Sequence, residues 1–246
     1  MNIAQYLDST YLKTPEQAGI SEEQTLEKVM QLTDEAIAHD FYAVMIRPQY
    51  VAEVKSYLKT KNAKPLVGTV IGFHEGTVST EDKLKEAQKA LQDGADELDF
   101  VINFEAYKKG EIEAVKNEFV KGSALVLEAG KVVKWIIETA ALTSEQIADI
   151  TSKIASWAGE SFDAELLPKI FVKSSTGFYK TEDGKPNGAT FQGIQIMLDN
   201  AGRLSVKASG GVKTPEDAKK MIEMGVKRIG TSSALALTKN EEVNGY

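Results

Sequence analysis

The sequence predicts an α/β protein built as a single (β/α)8 TIM barrel, and three observations support this fold class. Eight apolar runs of strand length recur at regular distances along the 246 residues. Amphipathic segments of helical length separate the runs, and strands that alternate with helices are typical of parallel βαβ units. Eight such units suit a closed barrel better than an open sheet, because single barrels commonly need about 250 residues.

The predicted strands follow one another in order along the chain. The first lies in QYLDST, and the others span residues 42 to 46, 65 to 73, 97 to 103, 131 to 139, 169 to 176, 204 to 211 and 228 to 233. Several of the intervening segments begin at Ser or Thr followed by acidic residues and end at Gly, which are helix start and stop signals. The stretch from Thr14 to Asp40 is longer than one unit needs, so we expect a short N-terminal extra helix or turn there.

No linker or change of composition divides the chain. Residues 1–246 are therefore predicted to form one domain, with a polar C-terminal tail at 238–246 that lacks an apolar helical face. The longest connection, residues 177 to 190, follows the sixth strand. In a barrel this connection lies at the C-terminal face, where active sites are built, so it is either a substrate loop or a plain surface loop.

Composition excludes several classes of function. The chain has 29 Lys and Arg against 36 Asp and Glu, a formal charge of −7, which argues against general nucleic-acid binding. It has no apolar stretch long enough for a membrane span and no secretory pattern at its start, so we expect a cytoplasmic protein without a membrane partner. With no cysteine and two histidines, thiolate catalysis and multi-histidine metal sites are excluded.

Each of four neighbouring strands, the fourth to the seventh, places charge on the face opposite its apolar face. Side chains alternate across a strand, and the apolar face of each barrel strand should point outward to the helices. The opposite face, which points into the barrel, carries the charged residues Glu97, Asp99, Lys134, Glu138, Lys173 and Lys207. Burying an isolated charge costs about several kcal/mol, so these inward charges are expected to be paired with one another or to have a function.

Two inward lysines on neighbouring strands point to amine chemistry. Lys173 and Lys207 both lie near the C-terminal ends of their strands. Two close ammonium groups repel and burial acts in the same direction, so at least one pKa should be lowered. A neutral lysine beside another cation suits a Schiff-base nucleophile, and Asp99 can accept and return protons. Spacing alone does not say which lysine attacks, and a purely structural ion-pair network is the main alternative.

Small residues end the last three strands. The clusters are Ser174 to Gly177, Ser209 to Gly211 and Gly230 to Ser233. Glycine lets a ligand approach the backbone, and barrels often hold phosphate at the loops after strands seven and eight. Ordinary turns also use Gly and Ser, but three clusters together predict a phosphate site.

Four motifs together resemble those of the deoxyribose-phosphate aldolase family, whose members are class I aldolases with a (β/α)8 barrel. The motifs are FVKSSTGF, VKASGGV, GADELDFVIN and RIGTSSA, and the resemblance runs from about Leu7 to Leu237. It implies reversible cleavage of 2-deoxy-D-ribose 5-phosphate to acetaldehyde and D-glyceraldehyde 3-phosphate. It implies no metal or organic cofactor and no partner besides these phosphosugar and aldehyde substrates, and a homodimer is compatible with it.

The resemblance also assigns roles to residues. Lys173 would form the imine, Lys207 would perturb its pKa, and Asp99 would belong to the proton relay. Lys134 matches the lysine of the family's strand-five motif and is placed with the substrate-binding residues. The phosphate would be bound by Thr176, Gly177, Gly210, Gly211, Ser232 and Ser233. Some members end in a tyrosine that shuttles protons, so Tyr246 is a catalytic candidate, against the alternative of a frayed tail.

The sequence departs from the family pattern at two positions near the expected site. Residues 73 to 76 read FHEG where the family usually has F-P-x-G, and Met45 stands where many members have cysteine. Neither departure removes a catalytic position. Two other functions stay open: a Schiff-base aldolase with a different donor, such as a transaldolase-like or keto-acid aldolase, and a sugar-phosphate-binding barrel without catalysis.

Overall fold

Eight parallel strands close into a barrel in the order of the chain, each paired with the next and the last with the first. The structure is a computed structural model that describes residues 2–182 and 184–239. The strands are β1 (Leu7–Tyr11), β2 (Ala43–Ile46), β3 (Leu66–Ile71), β4 (Glu97–Val101), β5 (Val132–Ile136), β6 (Ile170–Lys173), β7 (Ser205–Ser209) and β8 (Arg228–Thr231). The predicted (β/α)8 barrel is confirmed. Seven of the predicted strands contain an observed strand, and β1 extends one residue past QYLDST, to Tyr11.

Helices connect the strands and cover the outside of the barrel. They are α1 (Pro15–Ala18), α2 (Glu22–Ala38), α3 (Val51–Thr60), α4 (Thr80–Gln92), α5 (Phe104–Lys108), α6 (Ile112–Glu128), α7 (Ser144–Ser161), α8 (Phe191–Asn200), α9 (Pro215–Met224) and α10 (Ala234–Lys239). None of the helices in the described part of the chain has the length and apolar character needed to cross a bilayer.

The extra element expected between Thr14 and Asp40 is the short helix α1. The Thr14 hydroxyl accepts a hydrogen bond from the Gln17 N–H, and the Gln17 side chain accepts one from the Thr14 N–H. This reciprocal pair is a capping box, and it satisfies two N–H groups at the start of the helix. Gly19 ends it with φ = 66°, a left-handed conformation that glycine adopts without strain. The same capping pair, Ser21 with Gln24, then starts α2.

The apolar core lies between the outer face of the strands and the helices. Trp135 of β5 is fully buried, stacks on Phe100 of β4 at 4.8 Å and packs against Phe119 of α6. Its indole N–H donates to the Ser123 hydroxyl at 2.9 Å. At Gly122 a Cβ would meet the Trp135 ring at 2.8 Å, so glycine is what lets α6 approach the barrel this closely. This core directs the other face of each strand into the barrel.

Six of the predicted strands, the third to the eighth, run past the observed ones into the loops of the C-terminal face. The small-residue clusters after β6, β7 and β8 therefore lie largely in loops at this face. At the end of the chain, α10 includes Thr238 and Lys239, which the sequence analysis assigned to the tail. Tyr246 lies outside the described residues, and the single-domain assignment stays a prediction.

Candidate active site

The inner face of the barrel carries buried charges from neighbouring strands, as the alternation predicts. Asp99 of β4 is in register with Lys134 of β5, and Lys173 of β6 is in register with Lys207 of β7. All four side chains are at most 2% exposed. The strand pairing therefore brings the predicted acid and the predicted amines into one water-poor volume.

Asp99 is the centre of this arrangement. Lys173 and Lys207 both donate to its Oδ2 oxygen, at 2.9 and 3.0 Å, and Lys134 donates to its Oδ1 oxygen at 2.7 Å. Burial opposes ionisation, but the charges of Lys134, Lys173 and Lys207 outweigh it and hold the pKa of Asp99 well below its usual range. Asp99 is thus a carboxylate that is surrounded by amines.

A second layer of the network lies deeper in the barrel. Lys207 donates to Asp8 at 2.5 Å, and Lys134 donates to Glu97 at 2.6 Å. Arg228 of β8 bridges Asp8 and Glu97, with its Nη1 donating to Glu97 at 2.8 Å. The charges of Arg228 and Lys207 lower the pKa of Asp8 to about 2, although burial acts in the opposite direction.

The positive and negative charges of this network do not cancel. It joins three carboxylates, on Asp8, Glu97 and Asp99, to four basic groups, on Lys134, Lys173, Lys207 and Arg228. With every group ionised, a buried site would hold an excess positive charge, which is costly unless one base gives up its proton. Among the described residues, Lys173 contributes one ion pair to the network, whereas each other base contributes at least two. Loss of its proton would therefore remove fewer ion pairs at Lys173 than at any other base of the network.

The pKa of Lys173 agrees with this argument. Burial is the main cause that lowers the pKa of its ammonium group to about 8, and the Asp99 carboxylate opposes this effect. The positive charges of Lys207 and Lys134 lower it further. Both causes that the sequence suggested, burial and the charge of Lys207, thus act in the expected direction, and burial is the stronger of the two.

A pocket opens above the network at the C-terminal face. Its walls come from the ends of β6, β7 and β8, and they include the predicted phosphate-binding residues Thr176, Gly177, Gly210, Gly211, Ser232 and Ser233. Thr10, Leu12, Phe178 and Lys213 also line it. Backbone N–H groups, hydroxyls and one ammonium group around a small space suit an anion.

Two glycines allow the loops to meet in this pocket. Gly211 has φ = 74°, and a Cβ on it would meet the Ala189 carbonyl oxygen at 2.9 Å. A Cβ on Gly188 would meet the Gly210 carbonyl carbon at 2.5 Å. A side chain at either position would push the loop after β6 away from the loop after β7.

One predicted binding residue lies elsewhere. Lys134 does not line the pocket, and its amine is fully buried between Glu97 and Asp99. Its placement with the substrate-binding residues is therefore not supported by its position. The physical reason is that the middle of β5 faces the closed interior of the barrel, below the loops that form the pocket. Lys134 neutralises and orients Asp99 instead.

Sequence reasoning missed three charged residues. Asp8 and Arg228 complete the network, and Lys213 is the basic residue in the lining of the pocket. Alternation in QYLDST puts Asp8 on a definite face, and Arg228 begins the eighth strand, so both could have been flagged as inward charges. Lys213 directly follows GGV in the phosphate motif, and its position two residues after the glycine pair was the available signal.

Aromatic rings form one rim of the site where the sequence departs from the family pattern. Phe178, which lines the pocket, lies edge-on to Phe73 at 5.2 Å and is stacked on His74 at 5.6 Å. Phe73 and Phe178 also pack against a small buried cluster of Leu12, Met45 and Val70. His74 is therefore a rim residue, and Met45 is a buried apolar residue.

Comparison with known proteins identifies the family. Residues 3–240 match the family described as DeoC/LacD family aldolase. A deoxyribose-phosphate aldolase of Thermococcus kodakarensis is 42% identical over 236 residues, which cover 96% of this chain and 95% of that protein. One of Caldicellulosiruptor saccharolyticus is 38% identical over 242 residues, covering 97% and 98%. The resemblance to the deoxyribose-phosphate aldolase family is thereby confirmed.

Solved structures agree. A structure titled "QR15, an Aldolase" superposes with a TM-score of 0.78 at 33% identity and covers 97% of this chain and 95% of its own. A deoxyribose phosphate aldolase from Aeropyrum pernix, described as a unique tetrameric structure, gives 0.75 at 29% identity and covers 96% and 89%. With the barrel and the match over nearly its full length, the chain belongs to the DeoC/LacD family of aldolases and is a carbon–carbon lyase.

Proposed function

We propose that the chain reversibly cleaves 2-deoxy-D-ribose 5-phosphate to acetaldehyde and D-glyceraldehyde 3-phosphate through a Schiff base on Lys173. The observation that carries this proposal is the pair of lysines on one oxygen of Asp99, with the pKa of Lys173 lowered to about 8. Near neutral pH, a useful fraction of such an amine is uncharged and can attack an aldehyde. Relatives named deoxyribose-phosphate aldolase support the choice of substrate.

The first half of the reaction builds an electron sink. The neutral amine of Lys173 adds to C1 of the open-chain aldehyde, and loss of water leaves a protonated imine. Removal of the proton from the C3 hydroxyl then lets the bond between C2 and C3 break. D-glyceraldehyde 3-phosphate leaves, and the bonding electrons move into the imine to give an enamine. Asp99, directly or through water, is the proposed acceptor of that proton.

The second half of the reaction releases acetaldehyde and regenerates the free enzyme. Protonation of the enamine at C2 gives the imine of acetaldehyde, and water hydrolyses it to free Lys173 and acetaldehyde. Lys207 contacts the same oxygen of Asp99 as Lys173, so it can deliver a proton to this position. Tyr246 is a second proposed donor, by resemblance to the family. Deleting Tyr246 should slow turnover and leave imine formation intact, and an unchanged turnover rate would remove it from the mechanism.

The pocket after β6, β7 and β8 is the proposed phosphate site. Its glycine-rich walls and Lys213 lie at the mouth of the barrel, above the network that contains Lys173. A substrate whose phosphate is bound there would extend its aldehyde end toward the amine. This placement holds C1 against the nucleophile and supplies binding energy away from the reacting bond.

We also propose a cellular location and an assembly for the enzyme. We expect one domain that acts in the cytoplasm, in the breakdown of deoxyribonucleotide-derived sugar phosphate. Phosphosugars and aldehydes are its expected partners, without nucleic acid or membrane. The A. pernix relative is described as tetrameric, which favours a homo-oligomer, and a homodimer is the smallest such assembly. Sedimentation of the full chain would measure this state.

A donor and substrate panel tests the proposed function. The protein should release acetaldehyde from 2-deoxyribose 5-phosphate, and it should use acetaldehyde in preference to ketone or keto-acid donors in the reverse direction. Lys173→Ala should abolish both reactions. Lys169→Ala, which changes an exposed lysine just before β6, should leave them unchanged. A preference for a keto-acid donor would instead assign the chain to another type of Schiff-base aldolase.

A further inference from the structure

A buried carboxyl that the proposed mechanism does not use lies between the reactive lysine and the phosphate pocket. Glu138 follows β5 and is 1% exposed. Its backbone has φ = 55°, a left-handed conformation that is uncommon for a residue with a side chain. The flanking residues are tied to the end of β6, because the Ile137 N–H donates to the Lys173 carbonyl and the Thr139 N–H donates to the Ser174 carbonyl.

The side chain of Glu138 holds the loop after β6. Its Oε2 oxygen accepts hydrogen bonds from the Thr176 N–H at 3.2 Å and from the Thr176 hydroxyl at 2.5 Å. Because this hydroxyl donates to Glu138, its oxygen is free to accept from the Phe178 N–H, at 3.0 Å. One carboxyl group thus orients Thr176 and, through it, Phe178.

The residues that Glu138 holds are walls of the phosphate pocket. Thr176, Gly177 and Phe178 line the pocket consecutively, whereas Glu138 does not reach it. The Thr176 N–H and hydroxyl both donate to Glu138 and not into the pocket. Thr176, which the resemblance placed among the phosphate-binding residues, therefore sets the path of the loop in the described structure. The positions of the Gly177 and Phe178 backbone groups then depend on Glu138.

Burial of the Glu138 carboxyl group disfavours its ionised form and so costs free energy, which argues that its contact with Thr176 has a function. Its Oε1 oxygen is buried and accepts no hydrogen bond of good geometry from the described part of the chain, and the Ser175 hydroxyl lies near the carboxyl group. Burial raises the pKa of Glu138 to about 7, while the Thr176 hydrogen bonds and the charge of Lys173 oppose that effect. Lys173 is thus a charged group whose field reaches Glu138.

We propose that Glu138 is a positioning residue that, through Thr176, sets the loop binding the substrate phosphate and so makes the enzyme prefer a phosphorylated substrate. This proposal rests on the function proposed above. The carboxyl of Glu138 touches neither the phosphate nor the reacting carbons. It acts on the preference between 2-deoxyribose 5-phosphate and unphosphorylated 2-deoxyribose, which share the same C1 to C3 chemistry.

Four variants test the proposal: Glu138→Ala, Glu138→Gln, Thr176→Val and the double variant Glu138→Ala with Thr176→Val. The measured quantity is the ratio of kcat/KM for 2-deoxyribose 5-phosphate to kcat/KM for 2-deoxyribose. Glu138→Ala and Thr176→Val should each lower this ratio by about tenfold or more, mainly through KM, because a buried hydrogen bond to a carboxyl group is lost. Glu138→Gln keeps an oxygen that can accept both Thr176 hydrogen bonds, so its ratio should stay within about threefold of the wild type.

Coupling between the two positions is the sharpest part of the test. If Glu138 acts through Thr176, the double variant should be no worse than Glu138→Ala alone, because residues in one hydrogen-bond chain are not additive. Independent, multiplying losses would overturn the proposal, as would an unchanged ratio in Glu138→Ala or Thr176→Val. Glu128→Ala, at the exposed end of α6, is the matched control and should leave the ratio unchanged.

Two controls keep the outcome interpretable. Borohydride trapping with acetaldehyde reports whether each variant still folds and forms the imine, independently of phosphate. If Glu138→Ala fails to trap, Thr176→Val and Glu138→Gln decide the proposal by their opposite expected ratios. A wild type that does not cleave 2-deoxyribose 5-phosphate would sink the proposed function itself, whereas an active wild type with unchanged variants would sink only the role of Glu138.

Discussion

Lys173 and Lys207 are register partners on adjacent strands, and their amines donate to the same Oδ2 oxygen of Asp99. The two neighbours of Lys173 act on it in opposite directions. The charge of Lys207 lowers the pKa of Lys173, and the charge of Asp99 raises it. Removing one or the other should therefore move the pH dependence of imine formation in opposite directions, which a purely structural account of the network does not predict.

Replacing Lys207 should make imine formation demand a higher pH. In Lys207→Leu the positive charge that lowers the pKa of Lys173 is gone, so less of the amine is neutral near pH 7. We expect trapping with acetaldehyde and borohydride to be about tenfold slower at neutral pH, with its midpoint moved to higher pH. Trapping rates measured across a pH series check this. An unmoved midpoint would mean that Lys207 does not act on Lys173.

Replacing Asp99 should have the opposite effect on imine formation while harming turnover. Asp99→Asn removes the negative charge that favours the ammonium form of Lys173, so the trapping midpoint should move to lower pH. Turnover should fall by about 10²-fold or more because the proposed proton acceptor is lost. Comparing trapping with steady-state cleavage separates the two effects. Equal loss of both would indicate that the variant disrupts the site as a whole.

Lys213 should contribute to phosphate binding and not to imine chemistry. Lys213 is the basic residue among those that line the pocket. Lys213→Ala should raise KM for the phosphorylated substrate by about tenfold, with little change in kcat or in acetaldehyde trapping. Lys219→Ala on α9, outside this pocket, is the matched control. A fall in kcat at unchanged KM would contradict an anion-binding role.

The stability of the fold should depend on pH through Glu138. Burial raises the pKa of Glu138 to about 7 from an ordinary value of 4.5. Between these pH values the folded protein keeps a proton that the unfolded chain releases, so the free energy of unfolding falls as pH rises through this window. Below it both states are protonated, and above it the penalty is constant.

Glu138→Gln removes that penalty. Relative to the wild type, the free energy of unfolding of the variant should rise by up to about 3 kcal/mol between roughly pH 4.5 and 8. Urea unfolding of both proteins at several pH values measures the difference. Parallel stability profiles would show that Glu138 does not hold its proton near neutral pH.

The fold could be predicted closely because local sequence patterns and global topology agree. Alternation in ELDFV and VVKWI places apolar residues outward and charges inward, and the capping residue Ser79 marks a helix start. The ends of the third to eighth strands were predicted too far into the loops. Small residues such as Ser174 and Gly210 extend an apolar run in the sequence, while the barrel turns the chain away before them.

The site was predicted less completely than the fold, because several of its interactions join residues that are far apart in the sequence. Alternation found Asp99, Lys173 and Lys207 on separate strands. It did not connect Asp8 with Arg228, which are joined only when the first and last strands close the barrel. Lys134 was assigned to substrate by resemblance, although its position at mid-strand fits a buried ion pair. The left-handed turn at Glu138, which aims its carboxyl at Thr176, has no simple signature in the sequence.

The most direct test of the account is to find which residue carries the imine. The protein is incubated with acetaldehyde, reduced with borohydride, digested, and its peptides are mapped by mass spectrometry. We predict one ethylated lysine, Lys173, in the peptide that contains FVKSSTGF. Modification of Lys207 or another lysine in preference to Lys173, or no specific adduct, would contradict the assignment of the buried low-pKa amine as nucleophile.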